Sequence, residues 1–187
     1  MKLQLINPNY PVWEVTNFNL PEIELSGIKT YDQQYTSQTS HLRQQCKPDT
    51  RLHNAFSTVW NDHTKILEKF IRKEMNDIEE VRQMWMKTLS NFTYPPFSVS
   101  GEFIQDEEGF NMAPHVDNRG VFGVLIINLK DNPLLSGTHF TTMKWMGPTK
   151  KHTGVFMLNN WNTQHGINNP GPGNRLIAYQ NLHIDSI

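Results

Sequence analysis

The Pro95-Pro96 pair sits where the hydrophobic period of the chain changes. Proline cannot donate into a helical ladder and pushes the preceding residue toward extended backbone, so no helix runs through this point. Upstream, Phe56, Val59, Trp60, His63, Ile66, Leu67, Phe70 and Ile71 recur at steps of three and four. That is the apolar stripe of a helix over 54 to 76, with His63 as a packed or hydrogen-bonded member of the face. A second helix is expected from Asp77, which has capping-box spacing to Glu80, through Val81, Trp85 and Leu89 to about residue 92. Downstream the period is two: Phe97 to Ile104, Val121 to Leu129, Thr138 to Trp145, Gly154 to Leu158 and Arg175 to Leu182 all suit strands.

Two helices followed by short strands predict a mainly β fold with flanking α-helices, in which two helices cover the outer face of a closed sandwich or barrel. A length of 187 residues fits a single domain over 1–187. Residues 1–50 hold short apolar pieces, such as Leu3-Gln4-Leu5-Ile6 and Ile23-Glu24-Leu25, and read as strands and loops. The formal charge of -1 gives no bulk attraction to nucleic acid or an anionic membrane, so neither is an expected partner. The lone Cys46 forms no internal disulfide, and no apolar run approaches a bilayer span. A cytoplasmic protein is the expectation.

Within Met112-Ala113-Pro114-His115-Val116-Asp117-Asn118, His115 and Asp117 are two apart. In an extended segment they project to one face, where an imidazole nitrogen and a carboxylate oxygen can reach the same ion. The pattern alone is weak, since His183-Ile184-Asp185 repeats it near the end of the chain. The first pair is set apart by its downstream context: strand and turn material leads to Gln164-His165-Gly166, which can bring a third ligand on another strand. Two neutral imidazoles and one carboxylate on one face of an ion leave positions open, the arrangement associated with non-haem Fe(II) oxygenases.

Arg175 adds a second requirement. Asn168-Asn169-Pro170-Gly171-Pro172-Gly173-Asn174 must turn the chain, which suggests that His165 and Arg175 lie on adjacent antiparallel strands. An arginine facing the interior is costly without an anion, and its fork suits a carboxylate. Fe(II) with one carboxylate is +1, Arg175 adds +1, and a doubly charged 2-oxo acid brings the site to neutrality.

His115-Val116-Asp117, His165 and Arg175 together resemble the motif of Fe(II)- and 2-oxoglutarate-dependent dioxygenases, nearest the prolyl-hydroxylase-like branch. The resemblance covers residues 97 to 183. Val124-Leu125-Ile126-Ile127-Asn128-Leu129 is similar to the strand after the first ligands, Ser136-Gly137-Thr138-His139-Phe140 to the family's Gly-x-Thr-x-Phe segment, and Gly173-Asn174-Arg175 to its Gly-x-Arg. It implies a double-stranded β-helix (jelly roll, cupin-like) over 97–183 supported by helices over 54–92. It also implies Fe(II) as cofactor, 2-oxoglutarate and O2 as co-substrates, and hydroxylation of a C–H bond with release of succinate and CO2. The presence of Asp117 favours hydroxylation over halogenation.

Many relatives carry a co-substrate-binding tyrosine where this chain has Ile126 and Ile127. Tyr179, four residues after Arg175 and on the same strand face, is the candidate to help Arg175; an ordinary core tyrosine is the alternative. His139 is not expected to be a ligand, because three protein ligands suffice. For an unidentified small-molecule or peptide substrate, Arg119 and Trp161 are candidate contacts, against readings as a solvated arginine and a packed indole. A peptidyl or prolyl substrate is favoured by family analogy alone. A cupin-like metalloprotein of other chemistry and a non-catalytic jelly-roll binding protein remain alternatives.

Overall fold

The computed structural model of the chain describes residues 1–18, 25–30, 39–48, 97–117 and 121–184, with six isolated positions between 54 and 69. The strands are β1 (Lys2–Asn7), β2 (Tyr10–Thr16), β3 (Leu25–Thr30), β4 (Arg43–Pro48), β5 (Phe97–Asp106), β6 (Asn111–His115), β7 (Val121–Asn128), β8 (His139–Phe140), β9 (Trp145–Met146), β10 (Gly154–Leu158), β11 (His165–Asn168) and β12 (Arg175–Ile184). They form an eight-stranded sheet in the order β1-β2-β10-β7-β12-β5-β4-β3 and a four-stranded sheet in the order β6-β11-β8-β9. This is a two-sheet, double-stranded-β-helix-like architecture in which strands distant in sequence become neighbours.

The centre of the large sheet follows from composition. β7 (Val-Phe-Gly-Val-Leu-Ile-Ile-Asn) and β10 (Gly-Val-Phe-Met-Leu) are buried along their whole length, as near-continuous apolar strands covered on both faces must be. Val124 and Ile126 of β7, Val155 and Met157 of β10 and Ile177 of β12 point between the sheets, where Phe140 of the small sheet meets them. Each such side chain contributes about 1.5–3 kcal/mol on burial, so this cluster anchors the two sheets to each other.

The segment before β12 is held by one buried amide. Asn169 Nδ2 lies 3.0–3.1 Å from the carbonyl oxygens of Asp106, Glu107 and Gly173, tying the end of β5 to the Gly-Pro-Gly turn. Gly173 adopts a φ of 99°, a backbone that glycine takes without a Cβ penalty. The turn thereby enters β12 with Arg175 opposite Asp106.

Three expectations change. The jelly roll does not stand as one supported by two helices: among the described residues there is no helix of seven or more residues, only two three-residue 3-10 turns, Ser40–Leu42 and Trp161–Thr163, and isolated α-helical positions between 54 and 69. The span 54–92 lies outside the described residues apart from isolated positions, of which His63 packs its ring 4.2 Å from that of Phe18. His165 and Arg175 are not on adjacent strands; β11 belongs to the small sheet and β12 to the large one, so the turn crosses between sheets. The strand expected over Thr138 to Trp145 breaks into β8 and β9, because Thr141–Lys144 turn and Lys144 takes a φ of 51°. Residues 1–50 do contain short strands: β1 and β2 extend one side of the large sheet, and β3 and β4 extend the other.

Candidate metal centre

His115 ends β6 and His165 begins β11, and the two are directly paired across the small sheet. Their rings stand 4.7 Å apart, centroid to centroid. Asp117 lies two residues beyond β6, with Oδ1 3.7 Å from His115 Nε2 and Oδ2 3.6 Å from His165 Nε2. The ligand atoms of the three residues all fall within 4.8 Å of one another.

Neighbouring backbone orients each of these side chains. His115 Nδ1 is 3.0 Å from the Ala113 carbonyl and His165 Nδ1 is 3.3 Å from that of Thr163. With Nδ1–H donated to these carbonyls, both Nε2 lone pairs face the gap between the rings, as metal-binding histidines require. Thr163 is itself fixed: its hydroxyl donates to the Leu158 carbonyl at 2.6 Å, and it closes a capping box with Asn160. Gly166 is placed after His165 because the strands on either side leave no room; a Cβ there would lie 2.7 Å from both the Met112 carbonyl oxygen and His139 Nε2.

Asp117 is clamped from the end of β10. Its N–H donates to Asn159 Oδ1 at 3.1 Å, while Asn159 Nδ2 donates to the Asp117 and Val121 carbonyls at 3.2 and 3.0 Å. The Tyr179 hydroxyl donates to Asp117 Oδ1 at 3.2 Å. Oδ2 is buried and accepts no hydrogen bond. A buried carboxylate oxygen without a donor is costly, and a cation between Oδ2 and the two Nε2 atoms removes that cost.

The charge states favour the same occupant. Burial alone would raise the Asp117 carboxyl, but His115, His165 and Tyr179 outweigh it and hold the group below the usual carboxylate range. Burial pushes His165 down to about 4, with Asp117 opposing, so this imidazole is a neutral donor at neutral pH. His115 is raised, chiefly by the Asp117 carboxylate and against its own burial. Two imidazoles and one carboxylate at this spacing fit a divalent first-row cation such as Fe(II), with coordination positions left over.

The three ligands open on a cavity of about 440 Å³ counting the open space at its mouth. Met112, Ile104, Ile126, Ile167 and Ile177 give it an apolar wall; Arg43 and Tyr179 supply polar groups. Ile126, one of the two isoleucines in the region where the motif resemblance implies a tyrosine, faces the cavity. Arg175 is 1% exposed and is not among the lining residues. Its NH1 donates to Asp106 Oδ2 at 2.9 Å and its NH2 to Thr138 Oγ1 at 3.1 Å. Arg43 grips the same carboxylate from the other side, Nε to Oδ1 at 2.6 Å and NH2 to Oδ2 at 3.0 Å.

Of the other predicted residues, Tyr179 lines the cavity but contacts the candidate ligand Asp117. Trp161 is 77% exposed on its 3-10 turn, neither packed nor part of the cavity wall. Arg119 lies outside the described residues, as does Asp185 of the second His-x-Asp pair. His139 pairs with Gly166 while Phe140 pairs with His165, so it alternates to the face away from the ligands and is not in their group. Arg43, Asp106 and Asn159 escaped the sequence reading. A buried arginine does call for a carboxylate, but no spacing rule connects residues 43, 106 and 175.

No protein-family model matches the sequence, and no curated protein matches it. Among solved structures, the chain is similar to the viral collagen prolyl hydroxylase of Paramecium bursaria Chlorella virus-1 in complex with 2OG. The TM-score is 0.44 at 16% identity, covering 58% of this chain and 70% of that one. A truncated form of the same enzyme gives 0.43 at 16% identity, over 57% and 67% of the two chains. An oxidoreductase of the 2OG-Fe(II) oxygenase family from Burkholderia pseudomallei gives 0.45 at 7% identity, over 96% and 72%.

Proposed function

We propose that the chain is an Fe(II)- and 2-oxoglutarate-dependent oxygenase that hydroxylates a C–H bond, releasing succinate and CO2. The observation that carries this reading is the convergence of His115, Asp117 and His165 on an open cavity, with both Nδ1 atoms tied to backbone and Asp117 Oδ2 left without a donor. Iron(II) held by these three residues would supply dioxygen activation coupled to loss of CO2 from the 2-oxo acid.

The protein's own contribution is arrangement. His165 offers a neutral nitrogen and His115 would offer one once a metal displaces its proton, the two rings being fixed by Thr163 and Ala113. Asp117, ionised and held by Asn159 and Tyr179, offsets one unit of metal charge. The isoleucines and Met112 of the cavity wall would keep water away from a substrate carbon held beside the metal. A peptidyl or prolyl substrate is the class the motif resemblance favours. We assign Trp161, and with it Arg119, to substrate contact; the exposure of the Trp161 indole supports this for that residue.

The test is succinate formation from 2-oxoglutarate under air, with and without Fe(II), against peptide and metabolite pools. Fe(II)-dependent succinate, lost in Asp117→Ala and stimulated by one pool, is the expected result. A folded, iron-loaded protein that makes no succinate above that control, and shows no visible charge-transfer band with 2-oxoglutarate anaerobically, sinks the reading in favour of a metalloprotein of other chemistry.

A further inference from the structure

The cavity wall is chemically uneven. Ile104, Ile126, Ile167 and Ile177 offer only aliphatic C–H bonds, whereas Met112 brings a thioether, the one sulfur among the described residues that line the space. Its place follows from strand register. His115 pairs with His165 and Met112 with Ile167, and Ile167, two residues along β11, shares a face with His165. A strand rises about 3.3 Å per residue, so the row of Met112 and Ile167 stands roughly 7 Å from the row of imidazoles, on the same wall. An unbranched, flexible side chain can lean across part of that gap.

Met112 is also sheltered. It is 8% exposed and packs with Phe110 and Ile167, whereas Met146 on β9 is 41% exposed. An oxidant dissolved in solvent would reach Met146 first, because exposure governs its attack. An oxidant generated between His115, Asp117 and His165 would meet the opposite order, with Met112 beside it and Met146 outside the cavity.

We propose that Met112 is a self-oxidation site: when no substrate occupies the cavity, its thioether accepts an oxygen atom and becomes the sulfoxide. This rests on the oxygenase reading above and adds where the oxidising equivalents go when no substrate is in reach. The step balances. Thioether, dioxygen and 2-oxoglutarate give sulfoxide, succinate and CO2. One oxygen atom ends in the new succinate carboxylate, and the other forms the S–O bond at a sulfur lone pair without proton transfer. Sulfur supplies two electrons and the decarboxylation two, the four needed to cleave dioxygen. The product changes the wall. Its added oxygen takes space against Phe110 and Ile167 and carries partial negative charge beside the place a dianion would occupy, so the modified site should hold 2-oxoglutarate less well until the sulfoxide is reduced.

The test incubates the full chain, loaded with Fe(II), with 2-oxoglutarate under isotopically labelled dioxygen and no substrate, then locates the label by peptide mass spectrometry. The expected result is one labelled oxygen atom on Met112 ahead of Met146, absent from Asp117→Ala and from anaerobic wild type. Dilute peroxide on the metal-free chain should give the reverse order of the two methionines. A readout independent of turnover is calorimetry on Mn(II)-loaded variants: Met112→Gln, polar and of similar length, should bind 2-oxoglutarate about tenfold more weakly than Met112→Leu. Succinate formed while Met112 stays unmodified overturns the proposal, as does label on the Tyr179 ring instead, or the same preference for Met112 under peroxide. Equal affinities of the two variants overturn the closing of the site. A folded, iron-loaded chain that makes no succinate overturns the oxygenase reading itself, a distinguishable failure.

Discussion

Two carboxylates, one buried and one partly buried, on opposite sides of the sandwich, have opposite surroundings. Asp106, on β5 of the large sheet, is fully enclosed and takes hydrogen bonds from two guanidinium groups on both of its oxygens. Asp117, just past β6 of the small sheet, has one oxygen on a tyrosine hydroxyl and the other without a donor. Both oxygens of the first carboxylate are satisfied by the protein's own donors. The second is complete only with a cation, so local hydrogen-bond satisfaction separates a structural carboxylate from a functional one better than burial does.

The largest expected effect is on the structural carboxylate. Asp106→Asn leaves two buried guanidinium groups without their counter-charge and should cost about 3–5 kcal/mol of unfolding free energy in urea. Asp117→Asn, measured on metal-free protein, should cost less, on the order of 1 kcal/mol, since burial of the carboxylate offsets much of what His115, His165 and the Tyr179 hydroxyl contribute. Equal losses in the two variants would break the comparison.

Acid should expose the metal side next. The His165 pKa is depressed to about 4 by burial, so between about pH 6.5 and 4 the unfolded chain takes up the proton and the folded one does not. Stability of the metal-free protein therefore falls as pH drops through that window, by on the order of 3 kcal/mol, and levels off below it. His115, whose pKa is raised, contributes with the opposite sign and reduces the net slope. The isolating measurement is the difference in urea midpoint between wild type and His165→Gln across this range; a parallel pair of curves would contradict a buried neutral imidazole. Metal should then oppose the asymmetry. At 100 times its dissociation constant, a divalent cation should stabilise wild type by about 2.7 kcal/mol and Asp117→Ala not at all.

The two sides also differ in how far the sequence discloses them. His115-x-Asp117 is local, and a period of two puts both side chains on one face wherever the strand goes. β7 and β10 were readable for a related reason: their apolar runs suit strands buried on both faces. The row Arg43-Asp106-Arg175 has no local signature. It exists because β5 pairs with both β4 and β12, and strand order in a sheet of eight is a property of the whole chain. The same gap misled the placement of His165 and Arg175, since a turn rich in Gly and Pro reads alike whether it joins neighbours or crosses between sheets. Gly166 and Asn159 were hidden for a further reason: their value lies in what surrounds them, a close backbone approach and a pair of backbone groups beyond the end of β6.

Tyr179 links the two sides and gives the smallest and most discriminating prediction. It stands on β12 four residues from Arg175 and on the same face, yet its hydroxyl reaches across to Asp117 Oδ1. A hydrogen bond to Oδ1 fixes the carboxylate plane so that Oδ1 faces the His115 imidazole and Oδ2 that of His165. Tyr179→Phe keeps the ring against the core and removes the hydroxyl that supplies that restraint, so metal affinity should fall about tenfold, at the low end for partners that orient ligands. Folding stability should change by no more than about 1 kcal/mol. If Tyr179 instead served the co-substrate directly, the phenylalanine variant would bind Mn(II) like wild type and lose affinity for 2-oxoglutarate alone. Measuring metal and 2-oxoglutarate binding on the same preparation separates the two roles, because the hydroxyl at 3.2 Å from Asp117 predicts the loss in the first titration.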